Sequence, residues 1–109
     1  MARSHKLVIL LYKLTDMFPT KEQFSLTDQM RQAAVSVTSN IAEGFGRIGK
    51  KEKIQFYYMS QGSLTELQNQ LIISRDLNYI NRKEFDEIAN LTILVHKLLS
   101  GLIKSVKNK

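Results

Sequence analysis

Cysteine is absent from this 109-residue chain, and histidine occurs only twice, at His5 and His96. Without thiols the chain can form neither a disulfide framework nor a thiolate metal site. Two histidines that lie far apart in sequence also argue against a zinc or iron centre. We therefore expect no metal and no cofactor.

Long apolar runs are missing as well. No stretch approaches the ~20 apolar residues of a membrane span. The apolar run over residues 7–12, which Lys13 ends, is shorter than the roughly 7–15 residues of a signal-peptide core. These features predict a cytoplasmic protein that does not bind a membrane.

Apolar residues instead recur at steps of three and four, the spacing of one face of a helix. A chain of this length makes one domain, spanning residues 1–109, with a single core. Pro19, the only proline, disfavours helix at the residue before it and separates the first two helices. The spacing predicts helices over residues 3–17, 25–47 and 49–78, and a fourth from residue 81 onward.

Local signals support the helix starts. Ser25 or Thr27 can cap the second helix, and Gly49 with Glu52 makes a weak capping box for the third. A stronger box, Asn81 followed by Glu84, begins the fourth. Since short connections favour antiparallel neighbours, we predict an all-α fold, an antiparallel up-down-up-down four-helix bundle.

The second helix carries two stripes. Its apolar stripe predicts core positions at Met30, Ala33, Ala34, Val37, Ile41 and Phe45. Its polar stripe contains Ser36, Asn40, Glu43 and Arg47. If the second and third helices are antiparallel about a turn near Gly49, Ser36 faces Ser63 and Asn40 faces Met59 and Ser60. We predict a structural seam there, made of Ser36, Asn40, Glu43, Gly62 and Ser63.

In this seam, small residues and Gly62 would allow the two helices to approach closely, and Asn40 would bond across to fix the register. Glu43 has Arg47 as a charge partner one turn later. A catalytic site is not expected, because no histidine is placed to activate Ser36 or Ser63 and the Glu-x-x-His motifs of di-metal bundles are absent.

The formal net charge is +6, which favours anionic partners such as nucleic acid. In the predicted topology one end of the bundle, the basic pole, collects nine cations against only Glu43 and Glu52, an excess of seven positive charges. The cations of the basic pole are Arg3, Lys6, Arg47, Lys50, Lys51, Lys53, Lys104, Lys107 and Lys109.

The opposite end, the acidic pole, has an excess of three negative charges. It contains Lys21, Arg75, Arg82 and Lys83 against Asp16, Glu22, Asp28, Asp76, Glu84, Asp86 and Glu87. The basic pole predicts phosphate binding, with Tyr57 and Tyr58 as candidates for stacking on bases. The alternative is that the lysines are merely solvated and both tyrosines are core.

The first and fourth helices are apolar over more than the ~100° that one core requires. This excess predicts contact with other copies of the chain. The alternative is a broad core with a few exposed leucines.

Several segments resemble the 23S rRNA intervening-sequence protein family, also known as the S23 ribosomal protein family. They are Pro19, Glu22, Phe24, Leu26 and Gln29, then AAVSVTSNIAEGFGR over residues 33–47, Phe56, and GSLTEL over residues 62–67. The resemblance implies a helical bundle assembled as a ring-like homo-oligomer, with a pentamer favoured. It also implies an association with genes inserted in bacterial 23S rRNA, although many members are encoded elsewhere. It implies no enzymatic activity, and a related accessory protein of retroelements binds nucleic acid and a reverse transcriptase.

The sequence departs from the family at Gln32, where a basic residue is usual, so one possible phosphate contact is missing. The leading hypothesis is a non-enzymatic, oligomeric RNA-binding protein that uses the basic pole. The alternative is a protein-binding scaffold or an accessory subunit, for example of a reverse-transcriptase complex.

Overall fold

The computed structural model describes residues 2–108, which form four α-helices and no strand. A short 3-10 helix, Thr20–Glu22, lies in the first connection. The predicted all-α, four-helix fold is therefore confirmed. The helices are α1 (Ala2–Thr15), α2 (Leu26–Gly46), α3 (Lys50–Asp76) and α4 (Arg82–Lys107).

Side-chain contacts give the direction of neighbouring helices. Between α2 and α3 the bonded pairs include Lys53 with Gly44, Ser63 with Ser36, and Ser74 with Met30. Between α3 and α4 they are Gln61 with Ser100 and Gln68 with Thr92. In both sets one number rises as the other falls, so each pair of helices is antiparallel.

The first connection packs against the turn between α3 and α4. The Phe18 and Tyr79 rings lie 5.3 Å apart between centroids, and the Tyr79 hydroxyl donates a 2.7 Å hydrogen bond to Glu22. Helix α1 packs on α2 and α4 and leads into this connection, so α1 begins at the opposite end of the bundle. The up-down order thus brings the start of α1, the α2–α3 turn and the end of α4 to one end, the predicted basic pole.

The core contains most of the predicted apolar stripe of α2. Met30, Ala34, Val37 and Ile41 are fully buried and pack with leucines of the other helices. Phe45 was wrongly assigned to the core, since 47% of it is exposed. It lies in the last turn of α2, where the bundle ends and no further helix covers it.

Two helix ends are set by hydrogen bonds between residues that lie close together in the sequence. The Asn81 side chain accepts a 2.8 Å hydrogen bond from the Glu84 amide, and Glu84 accepts one of 2.9 Å from the Asn81 amide, so the predicted capping box is confirmed. Helix α3 ends where Asn78 adopts a left-handed backbone (φ 63°), which lets the Tyr79 amide bond to the Ser74 carbonyl.

Helices α2 and α3 begin within one residue of the predicted starts, but the expected side-chain caps are not formed. Ser25 occupies the N-cap position of α2, but its hydroxyl donates to Glu22 at 2.7 Å instead of capping the helix. Thr27 lies inside α2 with a buried, unpartnered hydroxyl, and Gly49 at the start of α3 offers no side chain for a cap. Helix α1 ends at Thr15, two residues early, and the chain then turns, with the Met17 and Phe18 amides bonding to carbonyls three residues earlier (3.3 and 3.0 Å).

No helix within residues 2–108 has both the length and the apolarity that crossing a membrane would require.

Candidate nucleic-acid interface

The seam between α2 and α3 has the predicted register. The Ser36 and Ser63 hydroxyls are 2.8 Å apart. Asn40 does not bond across the seam as expected. Its amide instead donates to the carbonyl (2.9 Å) and hydroxyl (3.1 Å) of Ser36 on its own helix, one turn earlier. Asn40 therefore supports the seam only indirectly, by orienting Ser36.

The shortest hydrogen bond across the seam comes from Ser60, a residue predicted to lie opposite Asn40 but not included in the predicted seam. The fully buried Ser60 hydroxyl donates a 2.7 Å hydrogen bond to the Val37 carbonyl. The helical spacing places this serine at a core position, and a buried hydroxyl needs a hydrogen-bond partner. The sequence therefore contained a signal for a bond from Ser60 to the neighbouring helix.

Gly62 was wrongly explained by close helix approach. It is exposed, and a Cβ built at Gly62 would meet no heavy atom within 4 Å. The close approach occurs at Gly44, where a Cβ would overlap the buried Tyr57 ring. Gly44 thus lets Tyr57 lie directly against the last turn of α2.

The seam does not assemble a nucleophile. The Ser36 and Ser63 hydroxyls bond to each other, and Ser36 also accepts a hydrogen bond from Asn40. Neither hydroxyl bonds to an imidazole, whereas an activated serine needs an adjacent base. Glu43 forms a 2.8 Å ion pair with Arg47 on the surface, as its position predicts. Among the described residues, no three His, Asp or Glu side chains are grouped as a metal site requires.

Three cations of the basic pole form hydrogen bonds or ion pairs with other residues of the chain. The Lys53 ammonium donates to the last carbonyls of α2, Gly44 (2.9 Å) and Phe45 (3.2 Å). Arg47 pairs with Glu43 and lies 4.8 Å from the centroid of the Phe56 ring. The Lys107 ammonium donates a 2.8 Å hydrogen bond to the Tyr58 hydroxyl.

Five other cations of this pole point into solvent. Each is exposed, and none forms a hydrogen bond or ion pair with another residue in the range 2–108. They are Arg3, Lys6, Lys50, Lys51 and Lys104. Lys109, which the sequence analysis also placed at this pole, lies outside the described residues.

The acidic pole is arranged differently, because its arginines are paired with aspartates. Arg75 pairs with the adjacent Asp76 (3.2 Å), and Arg82 lies 3.9 Å from Asp86 one turn on. Close by, Arg31 pairs with Asp16 at 2.7 Å. Within residues 2–108 the basic pole therefore has five unpaired cations, whereas the acidic pole has two, Lys21 and Lys83.

The two tyrosines that were considered for base stacking have different environments. Tyr57 is only 2% exposed, so it cannot stack on a base, and burial raises the pKa of its phenol. Tyr58 is 48% exposed. The buried positions of α3 follow a three-four spacing that includes residue 57 and skips residue 58. This spacing is hard to recognise in the sequence, because some of the buried positions hold polar residues such as Ser60 and Ser74.

The sequence matches the model of one known protein family. The model of the 23S rRNA-intervening sequence protein family matches residues 1–101. No curated protein matches the sequence.

Six chains of solved structures match the fold. One is a protein of unknown function from the S23 ribosomal protein family of Bacteroides thetaiotaomicron. It superposes with a TM-score of 0.87 over 94% of this chain and 96% of its own, at 20% sequence identity. At that identity the likeness concerns the fold alone.

Proposed function

Because the chain belongs to the 23S rRNA-intervening sequence protein family, we propose that it is a non-enzymatic, oligomeric protein of the bacterial cytoplasm that binds ribosomal RNA through its basic pole. One observation carries the proposal. Five exposed cations at the basic pole have no internal partner, whereas the arginines of the acidic pole are ion-paired. Unpaired cations can neutralise RNA phosphates and release their counterions without first breaking an internal salt bridge.

The proposed oligomer is a homopentamer with the basic poles on one side. Apolar residues on the outer surface of α1 and α4 support self-association, since Ile9 (57%), Ile93 (47%) and Leu94 (38%) are exposed in the single chain. A ring would place five basic poles side by side. Light scattering would then give a mass near 63 kDa, five times the 12.6 kDa of one chain, and a monomer mass would contradict the assembly.

Salt-dependent binding to a structured rRNA fragment tests the RNA proposal. Lys50→Glu/Lys51→Glu reverses two free cations of the basic pole. Lys21→Glu/Lys83→Glu is the matched control, because it makes the same charge change at two exposed, unpaired lysines of the acidic pole.

The affinity of the wild-type protein should fall steeply with salt. The basic-pole variant should bind much more weakly than the control, with a slope of log affinity against log salt that is shallower by roughly 1.4–1.8 for two lost contacts. Equal losses in both variants would show that only net charge matters, and binding that ignores salt would refute the proposal.

A second candidate is a scaffold or accessory subunit that binds another protein, such as a reverse transcriptase, through the acidic pole. Met17 (79% exposed) and Phe24 (88% exposed) favour it, since large apolar side chains so open to solvent are typical of contact residues. If this chain still binds a second protein after nuclease treatment, and Met17→Ser/Phe24→Ser abolishes that binding, the result would support this function over RNA binding.

A further inference from the structure

Tyr58 separates two open hollows on the surface formed by α3 and α4 near the basic pole. Its ring borders both hollows and is half exposed. The first is lined by Lys51, Ile54, Gln55, Tyr58 and Met59. The second is lined by Tyr58, Gln61, Ser100, Ile103, Lys104, Lys107 and Asn108. An aromatic ring thus lies between two recesses, each large enough to admit part of a ligand.

The charged side chains that line the two hollows are all lysines. Lys51 lies in the first hollow, and Lys104 and Lys107 lie in the second, while neither lining contains a carboxylate. The ammonium groups of Lys51 and Lys104 have no partner in the described chain. The remaining polar groups are amides and a hydroxyl, which can both donate and accept hydrogen bonds. The surroundings of Tyr58 therefore complement an anionic ligand that also carries a flat apolar group.

Lys107 contacts the Tyr58 side chain. Its ammonium donates to the Tyr58 hydroxyl at 2.8 Å and lies 5.4 Å from the ring centroid. This contact keeps a positive charge beside the ring, on the side of the second hollow.

Tyr12 offers an internal comparison, because it is exposed to a similar extent (39%) and also borders a hollow. The Arg31 guanidinium lies 4.6 Å from its ring centroid and is itself paired with Asp16. Asp28 lines the same hollow. An anion at Tyr12 would meet carboxylates and a neutralised arginine, whereas an anion at Tyr58 would meet free lysines.

We propose that Tyr58 is a stacking platform for an unpaired RNA base, with Lys51 on one side and Lys104 on the other contacting the flanking phosphates. This inference rests on the proposed RNA binding and specifies the class of RNA. In an A-form duplex the base faces are covered by neighbouring bases, whereas in loops and single strands they are free to stack on aromatic side chains. The protein should therefore prefer unpaired nucleotides to duplex RNA.

Fluorescence anisotropy with two RNA probes at the same low salt concentration tests the proposal. The probes are a short unstructured strand and the same strand annealed to its complement. Tyr58→Leu keeps an apolar side chain but removes the ring, and it should weaken binding of the single strand about 5- to 100-fold. Binding of the duplex should change by less than about twofold. Tyr58→Phe, which retains the ring, should bind the single strand much more tightly than Tyr58→Leu does.

The control is Tyr12→Leu, which should leave the affinity for both probes unchanged. An unchanged single-strand affinity in Tyr58→Leu, or an equal loss for both probes, would overturn the platform while RNA binding by the basic pole stands. If the wild-type protein binds neither probe, the proposed function fails and this inference fails with it. A changed mass of Tyr58→Leu in light scattering would show that another copy of the chain covers this surface, which would also overturn the proposal.

Discussion

Gly62→Ala and Gly44→Ala add the same methyl group to two helices in opposite environments. Gly62 lies inside α3 with open space beyond its Cα, so alanine there gains helix stability without a clash. In a helix interior alanine is more favourable than glycine by roughly 0.5–1 kcal/mol. For a domain of this size, that gain corresponds to an increase in Tm of about 2–4 °C.

At Gly44 the added methyl group would overlap the Tyr57 ring. The ring is only 2% exposed and packs edge-on against Phe45, with centroids 6.1 Å apart, so it has little room to move. Overpacking of this kind costs about 1–3 kcal/mol. The gain in helix propensity offsets part of that cost and leaves a loss of roughly 0.5–2 kcal/mol, so we expect Tm to fall by about 2–8 °C.

Thermal unfolding followed by circular dichroism would compare both variants with the wild type. The protein concentration must be held fixed, because the proposed self-association would make Tm concentration-dependent. A lower Tm for Gly62→Ala would refute the reasoning and show that another molecule packs on this open position. An unchanged Tm for Gly44→Ala would mean that Tyr57 is not held against α2.

Three further variants test individual contacts. Lys53→Met keeps the aliphatic stem but removes the ammonium at the end of α2, so urea denaturation should show that the free energy of unfolding falls by about 1 kcal/mol. The control Lys50→Met, at an unpaired lysine, should change it by less than about 0.5 kcal/mol. Equal effects of the two variants would contradict the capping role of Lys53. Asn40→Leu should lower stability or alter assembly without changing RNA affinity per folded molecule, and a loss of RNA binding with assembly intact would show that the seam is a binding site. Tyr79→Phe tests a pH dependence, because the Tyr79 hydroxyl holds the pKa of Glu22 below its ordinary value of 4.5. The stability that this bond contributes is present above pH ~4.5 and is lost as pH falls through the lower folded pKa. The difference in urea midpoint between wild type and variant should therefore shrink in acid, and a constant difference would contradict this linkage.

The fold follows from periodic and local signals. Leu7, Leu11 and Leu14 are buried because they share one face of a helix, and that face can be identified from spacing alone. The Asn81–Glu84 box involves groups three residues apart, so it too is set locally. The register that opposes Ser36 to Ser63 needed only the position of the turn.

The site depends on contacts that spacing does not determine. Lys53 reaches carbonyls eight and nine residues earlier only because the α2–α3 turn folds back beneath it. In the sequence Lys53 is therefore indistinguishable from Lys50 and Lys51, which remain free. Likewise, whether a helical glycine such as Gly62 touches anything depends on where the neighbouring helix lies, and only the structure gives that position.

Lysine acetylation footprinting with bound rRNA tests the central claim most directly, because lysines at both poles are measured in one sample. Mass spectrometry of the protein with and without RNA would quantify the reactivity of each lysine. We expect RNA to protect Lys50, Lys51 and Lys104 and to leave Lys21 and Lys83 as reactive as in the free protein. Equal protection at the two poles, or no protection of the first three lysines in a complex shown to contain RNA, would contradict the assignment of the basic pole as the RNA-binding surface.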